Sequence, residues 1–178
     1  MKTWLLSLPL TLLVTSVCAA PHQHGTAHFD MVLEPPTLLM SISSPLANLV
    51  GFEHRPQTPE QEARLLALQQ QMQKPETLVT LPAAADCSLS RVLLQNPFPD
   101  NSHNHDHAHT ADEHSHEHHA ELMAEYHYVC ARPEHLDQVE LPLIQLYPGI
   151  EQLRFQFIAA DRQHRVDLQA PQNSIRLP

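Results

Sequence analysis

From Pro97 to Ala120 the chain carries Asn, Asp, Ser and His with no periodic apolar residues. No strand or helix of a packed core can be built from such a stretch. The fold must therefore be assembled from its two flanks. Its centre is His103 to His119, HNHDHAHTADEHSHEHH, in which eight of seventeen residues are histidine and four are Asp or Glu. A tract of this composition buries too little apolar surface to order itself, and a long disordered loop is expected there without a ligand.

The flanks do carry patterns. Ala27, Phe29, Met31 and Leu33 alternate with Thr26, His28, Asp30 and Val32, which predicts a strand with one buried face. Pro35-Pro36 turns the chain, and TLLMSIS predicts the second strand of a hairpin. SPLANLVGFEHRP reads as a loop. A helix follows, with Thr58 as N-cap, Pro59 at the first helical position and Gln61 completing a capping box. Leu65, Leu68 and Met72, with Leu66 beside them, make an apolar stripe to lie on the sheet, and Pro75 ends the helix. CSLSRVLLQ predicts a strand before the tract, and LMAEYHYVC a strand after it, with Leu122, Ala124, Tyr126, Tyr128 and Cys130 on one face. VELPLIQLYPGI reads as a strand or short helix. LRFQFIAADRQHRVDLQ predicts a hairpin with Leu153, Phe155 and Phe157 facing Val166 and Leu168, and SIRL an edge strand. The fold class is α+β: an antiparallel sheet with one main helix packed on it, interrupted by the His-rich loop.

Lys2, the apolar run TWLLSLPLTLLVTSV and the small residues Cys18-Ala19-Ala20 have the form of a secretory signal peptide, too short to count as a membrane anchor. Residues 1–19 are expected to be removed, leaving 20–178 as a single exported domain with the His-rich insertion at 97–120. Cleavage removes Cys18 and leaves Cys87 and Cys130. Two thiols in an oxidising compartment most simply form one disulfide, two buried free thiols being the alternative. Such a disulfide would tie the strands that bracket the insertion and hold its base. Without Lys2 there remain nine Lys and Arg against twenty Asp and Glu. This excess of acid makes nucleic acid and anionic membranes poor partners and cations good ones.

Neutral imidazole ligates Zn²⁺, and also Cu²⁺ and Ni²⁺. In an extended chain His103, His105, His107 and His109 project to one side. His114 and His118 are four apart and His116 and His119 three apart, so a helical turn would also pair them. Asp106, Asp112, Glu113 and Glu117 add charge and oxygen ligands. Several weak, exchanging arrangements are expected rather than one cage. A solvated spacer would be built from Ser, Gly, Glu or Lys rather than eight histidines. His114-Ser115-His116-Glu117-His118 satisfies the H-x-x-E-H metallopeptidase pattern, but so many histidines produce that match by composition, and no apolar helix face accompanies it. No G-x-S-x-G, P-loop or dinucleotide glycine pattern is present, and the chain is not read as an enzyme. Outside the tract, His24, His54 and His127 are the candidate ordered ligands, since a folded sheet fixes geometry as a floppy tract cannot.

HGTAHFDMVLE, SSPLANLVGFEHRPQTPEQ, AADCSLS, a His-rich insertion leading into HAELMAEYHYVCARPEHL, and LYPGIEQLRFQFIAADRQHRVDL together resemble the ZrgA-like periplasmic zinc-binding proteins of Gram-negative bacteria. The resemblance implies a periplasmic protein that captures Zn²⁺ and assists its high-affinity uptake. Its implied partner is a zinc ABC-type importer or the importer's periplasmic binding component. The family's His-rich insertion maps onto His103 to His119 and its paired cysteines onto Cys87 and Cys130. The competing reading is a passive periplasmic buffer or detoxification protein for Zn, Cu or Ni, which ligand chemistry alone does not separate from uptake.

Overall fold

The structure is a computed structural model that describes residues 23–98 and 120–178. Two strands open it, β1 (Thr26–Glu34) and β2 (Thr37–Pro45), followed by the helices α1 (Leu46–Val50) and α2 (Pro59–Met72). Next come β3 (Cys87–Leu94), β4 (Glu121–Cys130), β5 (Gln138–Glu140), α3 (Leu143–Leu146), β6 (Gln152–Ala159), β7 (Gln163–Leu168) and β8 (Ser174–Arg176). Six strands form one sheet in the order β3-β4-β2-β1-β6-β7, and β5 pairs with β8 in a separate ribbon. Among the described residues no helix is long and apolar enough to cross a membrane.

The alternations place their apolar sets on one face. Ala27, Phe29, Met31 and Leu33 are buried, as are Leu122, Ala124, Tyr126, Tyr128 and Cys130 of β4. Leu153 and Phe155 of β6 stand opposite Leu168 and Val166 of β7, as the pattern predicts. The Phe29 and Phe155 rings stack with centroids 6.1 Å apart, and each such aromatic pair adds about 1 kcal/mol beyond its burial. Tyr126 reaches through this core to donate to the carbonyl of Met72 at 3.0 Å. Burial, with Tyr128 and Tyr147 nearby, pushes its phenol well above the usual range, so it remains a neutral donor.

The sheet is mixed rather than antiparallel. β1 runs antiparallel to β2 but parallel to β6, with Phe29 opposite Phe155. The chain leaves the sheet after β4, passes through β5 and α3, and returns beside β1 in the same direction. That connection is long enough for a parallel crossover, and period-two alternation is the same for either direction.

Two local readings are also revised. The segment expected as a loop after β2 contains α1, five residues closed by Gly51 at φ 88°. This left-handed position favours glycine. In α2, Leu68 and Met72 are buried and Leu65 partly so, but Leu66 is 55% exposed and leaves the stripe. Thr58 does cap the helix, its Oγ1 accepting from Gln61 N at 3.3 Å. Gln61 Oε1 reaches one residue past the cap, to Gln57 N at 2.7 Å.

Asn48 of α1 holds the start of β1. Its Oδ1 accepts from Gly25 N at 2.8 Å, and its Nδ2 donates to Thr26 O at 3.0 Å and Ser44 Oγ at 3.2 Å. Gly149 packs so closely that a Cβ there would collide with the Asn48 carbonyl.

Candidate metal site

His103, His105, His107, His109, His114, His116, His118 and His119 lie outside the described residues, as does the expected signal peptide 1–19. The structure places both flanks of the tract. Phe98, the last described residue before it, lies under the Arg55 guanidinium, 5.7 Å from the ring centroid. Ala120, the first after it, is buried and accepts from Leu46 N at 2.8 Å, at the start of α1. The two ends of the tract are therefore anchored against one segment, Leu46 to Arg55, which carries Glu53 and His54.

Cys87 and Cys130 are joined, directly opposite each other on β3 and β4. Their place corrects the expectation that they hold the base of the insertion. β3 and β4 form a hairpin whose connection leaves from the Leu94 end, where Leu94 faces Ala124. The disulfide closes the opposite end, roughly 23 Å away at ~3.3 Å per residue. Bracketing residues in sequence can sit at either end of a ladder, and here the tract takes one end and the cysteines the other.

His24 sits beside the tract's anchors. Its Nδ1 is 3.5 Å from Glu53 Oε1; the imidazole is 65% exposed and the carboxylate 14%. The backbone beside it is fixed by Gly25, which has φ 78° and donates its N–H to Asn48. The carboxylate of Glu151 lies against Gly25, 3.1 Å from where a Cβ would stand. His54 follows Glu53 directly. Its ring stacks on Phe52 with centroids 5.4 Å apart, and Nδ1 lies 2.8 Å from the Arg55 carbonyl. A carbonyl only accepts, so that contact assigns the proton to Nδ1 and leaves the Nε2 lone pair for a metal.

His127 belongs to a different place. It lies on the solvent-facing side of β4, where Nε2 is 3.6 Å from Glu125 Oε2 and has no hydrogen-bond partner among the described residues. Its carbonyl accepts from Ser90 Oγ at 2.9 Å, at the irregular step between Leu89 and Arg91. The registers set His28, Ser43 and Met123 side by side. Thr26, where β1 begins beside His24, and His127 are consequently separated by roughly 20 Å along the strand direction at ~3.3 Å per residue. One ion cannot bridge His24 and His127.

Among the described residues no three His, Cys, Asp or Glu side chains converge as a metal centre. Among the described residues there are instead three His–carboxylate contacts, His24–Glu53, His127–Glu125 and the exposed His135–Glu134 at 3.9 Å, with His54 besides. Glu53 and Glu125 were not singled out from the sequence as ligands. Glu125 had a readable signal, because residues two apart on a strand share a face.

Residues 21–177 match the family model described as ZrgA family zinc uptake protein. Among the curated proteins none matches the chain.

Proposed function

The chain belongs to the ZrgA family of zinc uptake proteins, and from that premise we propose that it captures Zn²⁺ in the periplasm and assists its uptake. Residues 1–19 serve as the export signal and are removed. The histidines from His103 to His119 gather the ion in exchanging sets, with zinc as cargo rather than resident cofactor. The His24–Glu53 pair, and separately the Nε2 of His54, supply ordered ligands against which the tract completes a tetrahedral shell. The observation that carries this reading is the convergence of both tract flanks, through Phe98 and Ala120, on the segment that holds Glu53 and His54. His127 with Glu125 forms a second, separate pair for a further ion. Delivery then runs to a zinc ABC-type importer or to its periplasmic binding component.

Binding competes with protons, because free imidazole protonates near ~6.5 and imidazolium cannot ligate. The test is zinc titration of the mature chain, of a variant lacking residues 103–119, and of His24→Ala with Glu53→Gln in the intact chain. Deletion is expected to lower the number of ions bound. The double substitution is expected to weaken the tightest event by on the order of a hundredfold. Unchanged stoichiometry after deletion would remove the tract from the ligand set. Unchanged affinity in the double variant would remove the His24–Glu53 pair.

A further inference from the structure

The solvent-facing side of the main sheet carries a depression of about 240 Å³ over β1, β6 and β7. Its walls are His28, Asp30, Arg154, Gln156 and Arg165. Strand register places them: His28 stands opposite Arg154, and Asp30 opposite Gln156, which stands opposite Arg165. Asp30 and Arg165 thus face each other across one intervening strand, about 10 Å between backbones.

The charged groups here do not close on one another and are left to solvent, save one buried atom. Asp30 is half-buried and has neither a hydrogen bond nor an ion pair among the described residues. Burial raises its carboxyl above the ordinary value, with His28 and Arg165 pulling the other way. Arg165 has no hydrogen bond or ion pair with any described residue. Arg154 donates through Nη2 to Gln23 Oε1 at 3.4 Å, while its buried Nε has no partner. In the turn between β6 and β7, Arg162 finds partners, donating to the Pro178 carbonyl and lying 3.7 Å from Asp161. Asp30 is half-buried and Arg165 exposed; a cation and an anion that attract each other across a gap without closing it define a space with two polarities, which a ligand carrying both can bridge.

We propose that this depression binds a small organic acid bearing a carboxylate and an adjacent hydrogen-bond donor, the chemistry shared by α-amino and α-hydroxy acids. The carboxylate lies between the Arg154 guanidinium and the Arg165 fork, whose planar donors match two carboxylate oxygens. The α-ammonium or α-hydroxyl donates to Asp30, and Gln156 lies between the two ends. The cavity is smaller than the usual pocket for a drug-sized ligand and suits a molecule of a few heavy atoms. Two guanidinium groups against one carboxylate leave one positive charge, which an α-hydroxy acid anion neutralises and a zwitterionic amino acid leaves in place, its ammonium facing Asp30. No zinc ion takes part, so this site stands or falls apart from the metal reading.

The test is titration of the metal-stripped mature chain, followed by two-dimensional amide NMR, with glycine, lactate, acetate and ethylammonium. Glycine and lactate are expected to bind and to shift amides of β1, β6 and β7. Acetate, lacking the donor, should bind about tenfold more weakly, and ethylammonium not measurably. Arg165→Gln and Arg165→Lys should each weaken both acids by about tenfold or more, the lysine because it keeps the charge but loses the fork. Asp30→Asn should abolish the preference for glycine over acetate. Glycine bound without lactate assigns the site to amino acids, and lactate without glycine to hydroxy acids. The proposal is overturned if neither binds, if acetate equals both, or if the folded Arg165 variants bind like the parent chain.

Discussion

Replacing Cys87 and Cys130 together by alanine is expected to lower the thermal midpoint of the mature chain by roughly 10 °C. The cysteines are 43 residues apart in sequence. Cross-linking a loop of that size removes denatured-state entropy worth up to about 4 kcal/mol. A domain of this size loses about 2–4 °C per kcal/mol. Cys130 is fully buried in the core, so loss of its sulfur adds a packing cost in the same direction. Because the disulfide closes the end of the β3–β4 hairpin away from the tract, the same variant should bind as many zinc ions as the parent. Calorimetric melting and zinc titration check both halves. A variant that melts as the parent does would show the bond to be energetically idle. One that loses zinc ions would show that the disulfide supports a ligand set, the His127–Glu125 pair being the one nearer to it.

Asn48→Ala should be nearly as damaging, at about 3 kcal/mol, since each buried backbone group left without a partner costs about 1–3 kcal/mol. The side chain satisfies Gly25 N–H and Thr26 C=O, and both would be stranded where β1 begins. Thr26 and Asn48 are almost wholly buried, so water cannot readily replace the lost groups. Asn48→Asp should fall between, because it keeps the acceptor for Gly25 but loses the donor to Thr26 and Ser44. The substitution also reaches the metal reading. Gly25 fixes the backbone next to His24, so Asn48→Ala should weaken the tightest zinc event while leaving the number of ions unchanged. Denaturant unfolding measures the first effect. An Asn48→Ala chain of parental stability would contradict the clasp.

Much of the sheet is readable residue by residue because each strand has one buried face. The alternation from Ala27 to Leu33 and from Leu122 to Cys130 names the core-facing set, and Thr58-Pro59 with Gln61 marks where α2 begins. What alternation cannot carry is direction. Phe29 and Phe155 would be apolar neighbours in either orientation, and the parallel pairing of β1 with β6 follows from the path of the chain after β4. α1 escaped because five residues between Pro45 and Gly51 are too few to show helical periodicity. Its importance lies in one polar residue, Asn48, whose partners are two backbone groups 23 and 22 residues away and the hydroxyl of Ser44.

The candidate site was legible in its chemistry and not in its grouping. Histidine content pointed to metal ligation, and His24, His54 and His127 were the ordered candidates. Sheet order then separates them, leaving His24 and His54 beside the tract's two anchors and His127 near the disulfide end of β4. Glu53 becomes relevant because folding brings His24 to within 3.5 Å of it across the sequence. The tract itself lies outside the described residues, and its role rests on composition, on its anchored flanks and on the family to which the chain belongs.

The central claim is that imidazoles of this chain bind zinc, and titration of the metal-free mature protein with Zn²⁺ at neutral pH tests it most directly. At least one tight, saturable event is expected, accompanied by proton release and lost as the solution is acidified through ~6.5. A chain that stays folded at neutral pH and takes up no zinc would contradict the account.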